Sequence, residues 1–102
     1  MHRREILETA LSFTLDDRNK TYGSPAENMQ ALALLWTAFL HSRNLLLSSQ
    51  MLTAEDCALM MAVSKLARLN NSDLPFHADN YIDAAAYFAM AGEISERKNA
   101  NA

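Results

Sequence analysis

The sequence predicts an all-α fold, an antiparallel four-helix bundle forming one domain over residues 1–102. Two observations lead there. Four stretches repeat apolar residues at helical spacing, and two of them start at recognisable cap residues. The chain also holds only two Gly and two Pro, too few for the turns an all-β chain requires about every 8–12 residues. Half of the residues are hydrophobic and 21% are charged, the profile of a globular domain rather than a disordered one. A chain of 102 residues has material for a single core.

The first helix is expected from Arg3 to about Leu15, with Ile6, Leu7, Ala10, Leu11 and Leu15 at the helical repeat. A polar run over 16–20 then leads into Thr21-Tyr22-Gly23. The second start is the clearest signal. Ser24 is an N-cap, Pro25 the first helical residue and Glu27 the third, which makes a capping box. This helix is expected to run to about Leu46. Met29, Leu32, Trp36, Phe39 and Leu40 share its inward face, Asn28 borders it, and Glu27, Leu34, Ala38 and His41 lie opposite.

The third helix starts after Thr53, with Asp56 completing a second capping arrangement, and runs to about Leu69, where Asn70-Asn71 makes a stop. Its expected apolar face is Leu59, Met60, Val63, Leu66 and Ala67, with Cys57, Met61, Ser64, Lys65 and Arg68 on the other side. A loop with Pro75 and His77 precedes the fourth helix, expected over Asp79 to Arg97 with a frayed tail at 97–102. That helix is apolar almost all round and rich in alanine (Ala84, Ala85, Ala86, Ala89, Ala91). It is therefore expected either at the centre of the bundle or in an oligomer interface. The apolar surplus of the second and fourth helices points to a homodimer or higher homo-oligomer.

A formal charge of −3 argues against a nucleic-acid binder, which needs a phosphate-neutralising surface. The lone cysteine, Cys57, excludes an intrachain disulfide and a Cys-based zinc site, and fits a reducing compartment. No basic segment leads into an apolar signal stretch, and the longest apolar runs are far below the ~20 residues that span a bilayer. A soluble protein of the cytoplasm is the expectation.

Chemistry is sought among polar groups placed on helices that should be buried. Asp79 and Asp83 are four residues apart on one face of the fourth helix, with Tyr87 a turn further. Two carboxylates in a dry site repel unless a cation lies between them or a proton is shared. A divalent ion or a Lys or Arg partner would serve; the plainer reading has both stabilising the helix N-terminus. Lys65 and Arg68 are neighbours on the third helix. They suit a phosphate or carboxylate clamp, or else sit at the negative helix end and reach to water. A short connection brings the two pairs opposite one another as one network. Arg18, Tyr22 and Gly23 precede a helix N-terminus, where backbone N–H groups favour anions. Glu27 and Asp56 read first as capping residues. His2, His41 and His77 lack metal-ligand spacing, and the six Met residues are core filler.

The string Asp17-Arg18-x-x-Thr21-Tyr22-Gly23-x-Pro25-x-Glu27-Asn28, with Leu35-Trp36 after it, resembles a group of small phage- and prophage-encoded proteins of unassigned function. So do Asp56-x-x-Leu59-Met60-Met61-x-x-x-Lys65-x-Ala67-Arg68-Leu69 and His77-x-Asp79-Asn80-x-x-Asp83-x-Ala85-x-Tyr87. That group is distantly similar to the MazG-type all-α nucleoside triphosphate pyrophosphohydrolases, Mg²⁺-dependent helical oligomers with E-x-x-E and E-x-x-D pairs on successive helices. The resemblance implies self-association and a nucleotide or other phosphorylated ligand between helices. Carried onto this chain, Glu27, Asp79 and Asp83 would hold Mg²⁺. Arg18, Tyr22, Asn28, Lys65 and Arg68 would contact phosphate or substrate. Asn80-x-x-Asp83 stands where E-x-x-D would be, and the preceding helix offers Lys65-x-x-Arg68 where acids would stand. The alternative expectation is a non-catalytic helical phage accessory protein acting through protein–protein contacts, its polar residues forming a structural network.

Overall fold

The computed structural model describes residues 1–14, 24–70, 73 and 75–100. Among these the chain is all-helical, with α1 over Arg3–Phe13, α2 over Pro25–Ser42, α3 over Ala54–Ala67 and α4 over Ala78–Ala100. The expected end of the first helix at Leu15, the stop residue Asn71 and the last two residues of the tail lie outside the described residues.

The caps form where the sequence places them. The Ser24 hydroxyl accepts from the Glu27 N–H at 3.1 Å, with Pro25 at the first helical position. Thr53 and Asp56 satisfy each other's backbone N–H groups, at 2.9 Å and 3.0 Å. Each such cap supplies orphan donors of the first turn with acceptors, for about 1 kcal/mol.

Helix ends differ more. α2 stops at Ser42 rather than continuing to Leu46. Asn44 adopts φ 59°, and two reversing bonds close the end: Leu45 N–H to Leu40 O at 2.9 Å and Asn44 N–H to His41 O at 3.0 Å. This is the Schellman pattern, and Asn is among the few residues that tolerate its left-handed position. The leucines beyond it continue the apolar run but not the helix. α4 in turn extends through Lys98 and Asn99 to Ala100, where a frayed tail was expected.

α3 packs most extensively on α4, α2 lies against α3, and α1 lies against α4. The α3–α4 pair is antiparallel. Cys57 and Ala58, early in α3, cluster with Ala91 of the later half of α4, while Lys65, late in α3, meets Asp83, early in α4. α4 thus touches each of the other helices, the central position its all-round apolar sequence predicts.

The inward face of α3 is not the predicted one. On α2 Met29, Leu32, Trp36 and Leu40 turn inward as expected and only Phe39 does not, and on α1 Ala10 does. On α3 the buried residues are Ala54, Cys57, Ala58 and Ala62, whereas Leu59, Met60, Val63 and Leu66 are exposed. On α2 the inner stripe is Met29, Ala33 and Thr37, and Phe39 faces out. On α1 Ala10 is buried while Leu7 and Leu11 are exposed. Small side chains at these positions let helix axes approach closely, and Leu32, Trp36, Leu52, Tyr87, Met90 and Ile94 close over the cluster as half-buried neighbours. The result leaves much apolar surface outside.

Candidate functional site

Lys65 occupies the last turn of α3, with a side chain only 12% exposed; its Nζ lies 3.3 Å from Oδ2 of Asp83, itself one-third exposed. Lys65 also lines a seam between α3 and α4, together with Ala62, Leu66, Leu69 and Ala84 among others. Arg68 is the C-cap residue of α3, its N–H bonded to the Lys65 carbonyl at 3.2 Å, and its side chain is exposed. Asp79, one turn before Asp83 in the first turn of α4, is exposed as well. The end of α3 and the start of α4 therefore carry four charges: Lys65 and Asp83 paired with one another, Arg68 and Asp79 exposed. The placement agrees with the dipoles, since cations favour helix C-termini and acids favour N-termini.

The other expected ligands lie elsewhere. Glu27 and Asn28 are exposed in the first turn of α2. Their neighbours Ser24, Pro25 and Ala26 line a cavity of about 390 Å³ with Ala89, Met90, Glu93 and Arg97, which is the later part of α4. Six residues of helix separate Ala89 from Asp83, about 9 Å at 1.5 Å per residue. Glu27 thus stands towards the opposite half of α4 from Asp79. Among the described residues, no three His, Cys, Asp or Glu side chains group in a way able to hold a metal ion. The phosphate contacts expected of Arg18 and Tyr22 fall outside the described residues.

The α3/α4 seam encloses a cavity of about 190 Å³, whose lining also takes in Val63, Asn80, Tyr81 and Phe88. Phe76 and Tyr81 form a tilted ring pair, centroids 5.6 Å apart. On the far side of α3 the Cys57 thiol is fully buried; burial pushes its pKa up from 9.0, and the adjacent Asp56 carboxylate adds to the rise. It is held as a neutral thiol, inert rather than nucleophilic.

One polar residue without an expected role acquires one. His41 Nε2 lies 3.1 Å from Leu47 O and 2.8 Å from Gln50 O. Carbonyls only accept, so Nε2 carries the proton and donates to both. The ring holds the α2–α3 connection in place. Spacing gave no hint of this, because the partners are backbone atoms six and nine residues on.

A family model described as a domain of unknown function (DUF6378) matches residues 5–95. The chain belongs to that family. It is 32% identical to the Gene 55 protein of Mycobacterium phage D29 over 91 residues, covering 89% of this chain and 54% of that protein. To the Gene 55 protein of Mycobacterium phage L5 it is 33% identical over 82 residues, covering 80% of this chain and 47% of that protein. The chain spans about half the length of these curated relatives. No solved structure matches it. The motifs thus led to a phage-encoded family of unassigned function, and these matches go no further towards the MazG-type enzymes. Among the described residues no helix is long and apolar enough to cross a membrane.

Proposed function

We propose that the chain binds a nucleotide or other phosphorylated ligand at the mouth of the α3/α4 seam, with Lys65 and Arg68 contacting phosphate. The observation supporting this reading is the Lys65–Asp83 pair itself. Its lysine is 12% exposed within an apolar seam. A desolvated ion pair is poor at stabilising a fold, and apolar residues of similar volume do as well or better. A lysine kept in that place invites a role beyond packing. The exposed Arg68 adds a planar fork suited to phosphate, and Asp79 is exposed in the first turn of α4. The resemblance to the MazG-type hydrolases points to the same ligand class.

The proposal routes no step through a metal. Glu27 stands apart from Asp79 and Asp83, and Asp83 is already engaged by Lys65, so the acids of one chain do not make a Mg²⁺ cage. Mg²⁺ enters as an arm of the test. A second reading, a non-catalytic phage accessory protein, is favoured by the same pairing, because a carboxylate that satisfies its lysine internally leaves neither group free.

Titration calorimetry with each deoxynucleoside triphosphate, with and without Mg²⁺, separates the two. The ligand reading expects saturable binding that Lys65→Met abolishes while helical content is retained. Ligand at about a hundred times its dissociation constant would also raise stability by about 2.7 kcal/mol. Absence of heat and of any melting shift for all four nucleotides, in both conditions, would leave the accessory reading standing.

A further inference from the structure

The cavity of about 190 Å³ between α3 and α4 is below the ~300–1,000 Å³ of pockets that enclose a whole drug-sized ligand. At ~30 Å³ per water it has room for about six waters, the space of one flat ring system. Leu66 from α3 and Tyr81, Ala84 and Phe88 from α4 give it an apolar wall. Tyr81 and Phe88 stand two turns apart on α4, about 10 Å of rise, and Ala84 puts only a methyl between them. Two polar side chains interrupt that wall, Lys65 and Asn80. The Asn80 N–H donates to His77 O at 3.3 Å. Its side-chain amide, by contrast, has no hydrogen-bond partner among the described residues. That amide offers an acceptor and two donors.

We infer that this cavity is a nucleobase subsite, with Tyr81 and Phe88 as its stacking partners and Asn80 as the reader of the base edge. The inference deepens the phosphate reading of Lys65 and rests on it for the rest of the ligand. Lys65 belongs both to the cavity wall and to the proposed phosphate contact. A ligand whose phosphate meets that lysine therefore has its base within reach of the cavity. The chemistry of the wall fits such an occupant. A base is apolar on its faces and polar along its edge, and proteins hold bases by stacking them on aromatic rings and bonding their edges. Asn does the second with a donor and an acceptor at once. The volume fits as well: one ring system enters, and sugar and phosphates stay outside, where Arg68 is exposed. Asn80 also takes the place of the first acid in the MazG-type E-x-x-D pair. A neutral amide there gives up charge for Mg²⁺ and gains the donor that a base edge needs.

Saturation-transfer NMR with the four deoxynucleosides, which carry no phosphate, reads the base alone. The wild type should pass saturation to base protons more strongly than to sugar protons for at least one of them. Phe88→Ala should remove that transfer with helical circular dichroism retained. Phe39→Ala, at a similarly exposed ring on α2, should keep it. Calorimetry with inorganic triphosphate reads the phosphate contact alone. The matching deoxynucleoside triphosphate should bind about tenfold or more tightly than the inorganic ion, and Phe88→Ala or Asn80→Leu should erase that margin without weakening the inorganic ion. Lys65→Met should weaken both. Inorganic triphosphate bound as tightly as every nucleotide, or a margin unmoved by either variant, would overturn the base subsite and leave the phosphate reading in place. Base transfer that depends on Phe88, with no inorganic triphosphate bound, would keep the subsite and remove the phosphate reading. Should a variant fail to fold, the wild type decides: no base transfer from any of the four deoxynucleosides overturns the subsite.

Discussion

The two sides of α3 are built from different materials. Ala54, Cys57, Ala58 and Ala62 are all buried, whereas Leu59, Met60, Val63 and Leu66 are all exposed. In an ordinary monomeric helix the bulky stripe faces the core. Here small residues bring the helices close, and bulk is held outside. Large apolar side chains gain stability only where covered, so this inversion divides the molecule into an interior of small residues and a surface that carries much of the chain's apolar bulk.

That contrast can be strained at its inner side first. Ala58→Leu forces a branched side chain into a site with no exposure; overpacking should cost about 1–3 kcal/mol, read as a lower urea midpoint with unchanged slope. A tolerated leucine there would mean the interior is looser than its small residues imply. Thr37→Val tests the polar stitch at the edge of the same interior. Thr37 Oγ1 accepts from Leu52 N–H at 2.9 Å, and its loss strands a part-buried donor for about 1–2 kcal/mol. The slightest effect is expected from pH. The Cys57 pKa is raised on folding, so the unfolded thiol ionises first. The resulting stability is complete below the unfolded value of 9.0, and is lost as pH rises past it towards the higher folded value. The melting temperature of Cys57→Ala should therefore fall less steeply than that of the wild type between about pH 8 and pH 10. Parallel slopes would place the thiol in a more open setting than its burial indicates.

Local chemistry was the part of the fold that could be read in advance. Ser24, Pro25, Thr53 and Asp56 mark helix starts through bonds that span three residues, and such bonds are written in the sequence itself. The pairing of the third-helix cations with the fourth-helix acids was also anticipated, since a short connection fixes which ends meet. It holds for Lys65 and Asp83, while Arg68 and Asp79 stay in solvent. What could not be read was which stripe of α3 turns inward. Hydrophobicity ranks Leu66 above Ala62, but close helix approach selects the smaller. The Asn44 stop was hidden by the leucines that follow it, because apolar runs speak to burial and not to backbone handedness. Glu27 was assigned to the same site as Asp79 from motif order alone, and helix length then separates the two.

The bonds of the α2–α3 turn carry a consequence for how the chain assembles. His41 reaches Leu47 and Gln50, and Thr37 reaches Leu52, fifteen residues away. These contacts close small loops, and small loops lose little chain entropy. The α2–α3 hairpin is accordingly a segment of low contact order, able to form on its own short stretch of chain before the more distant α1 docks on α4.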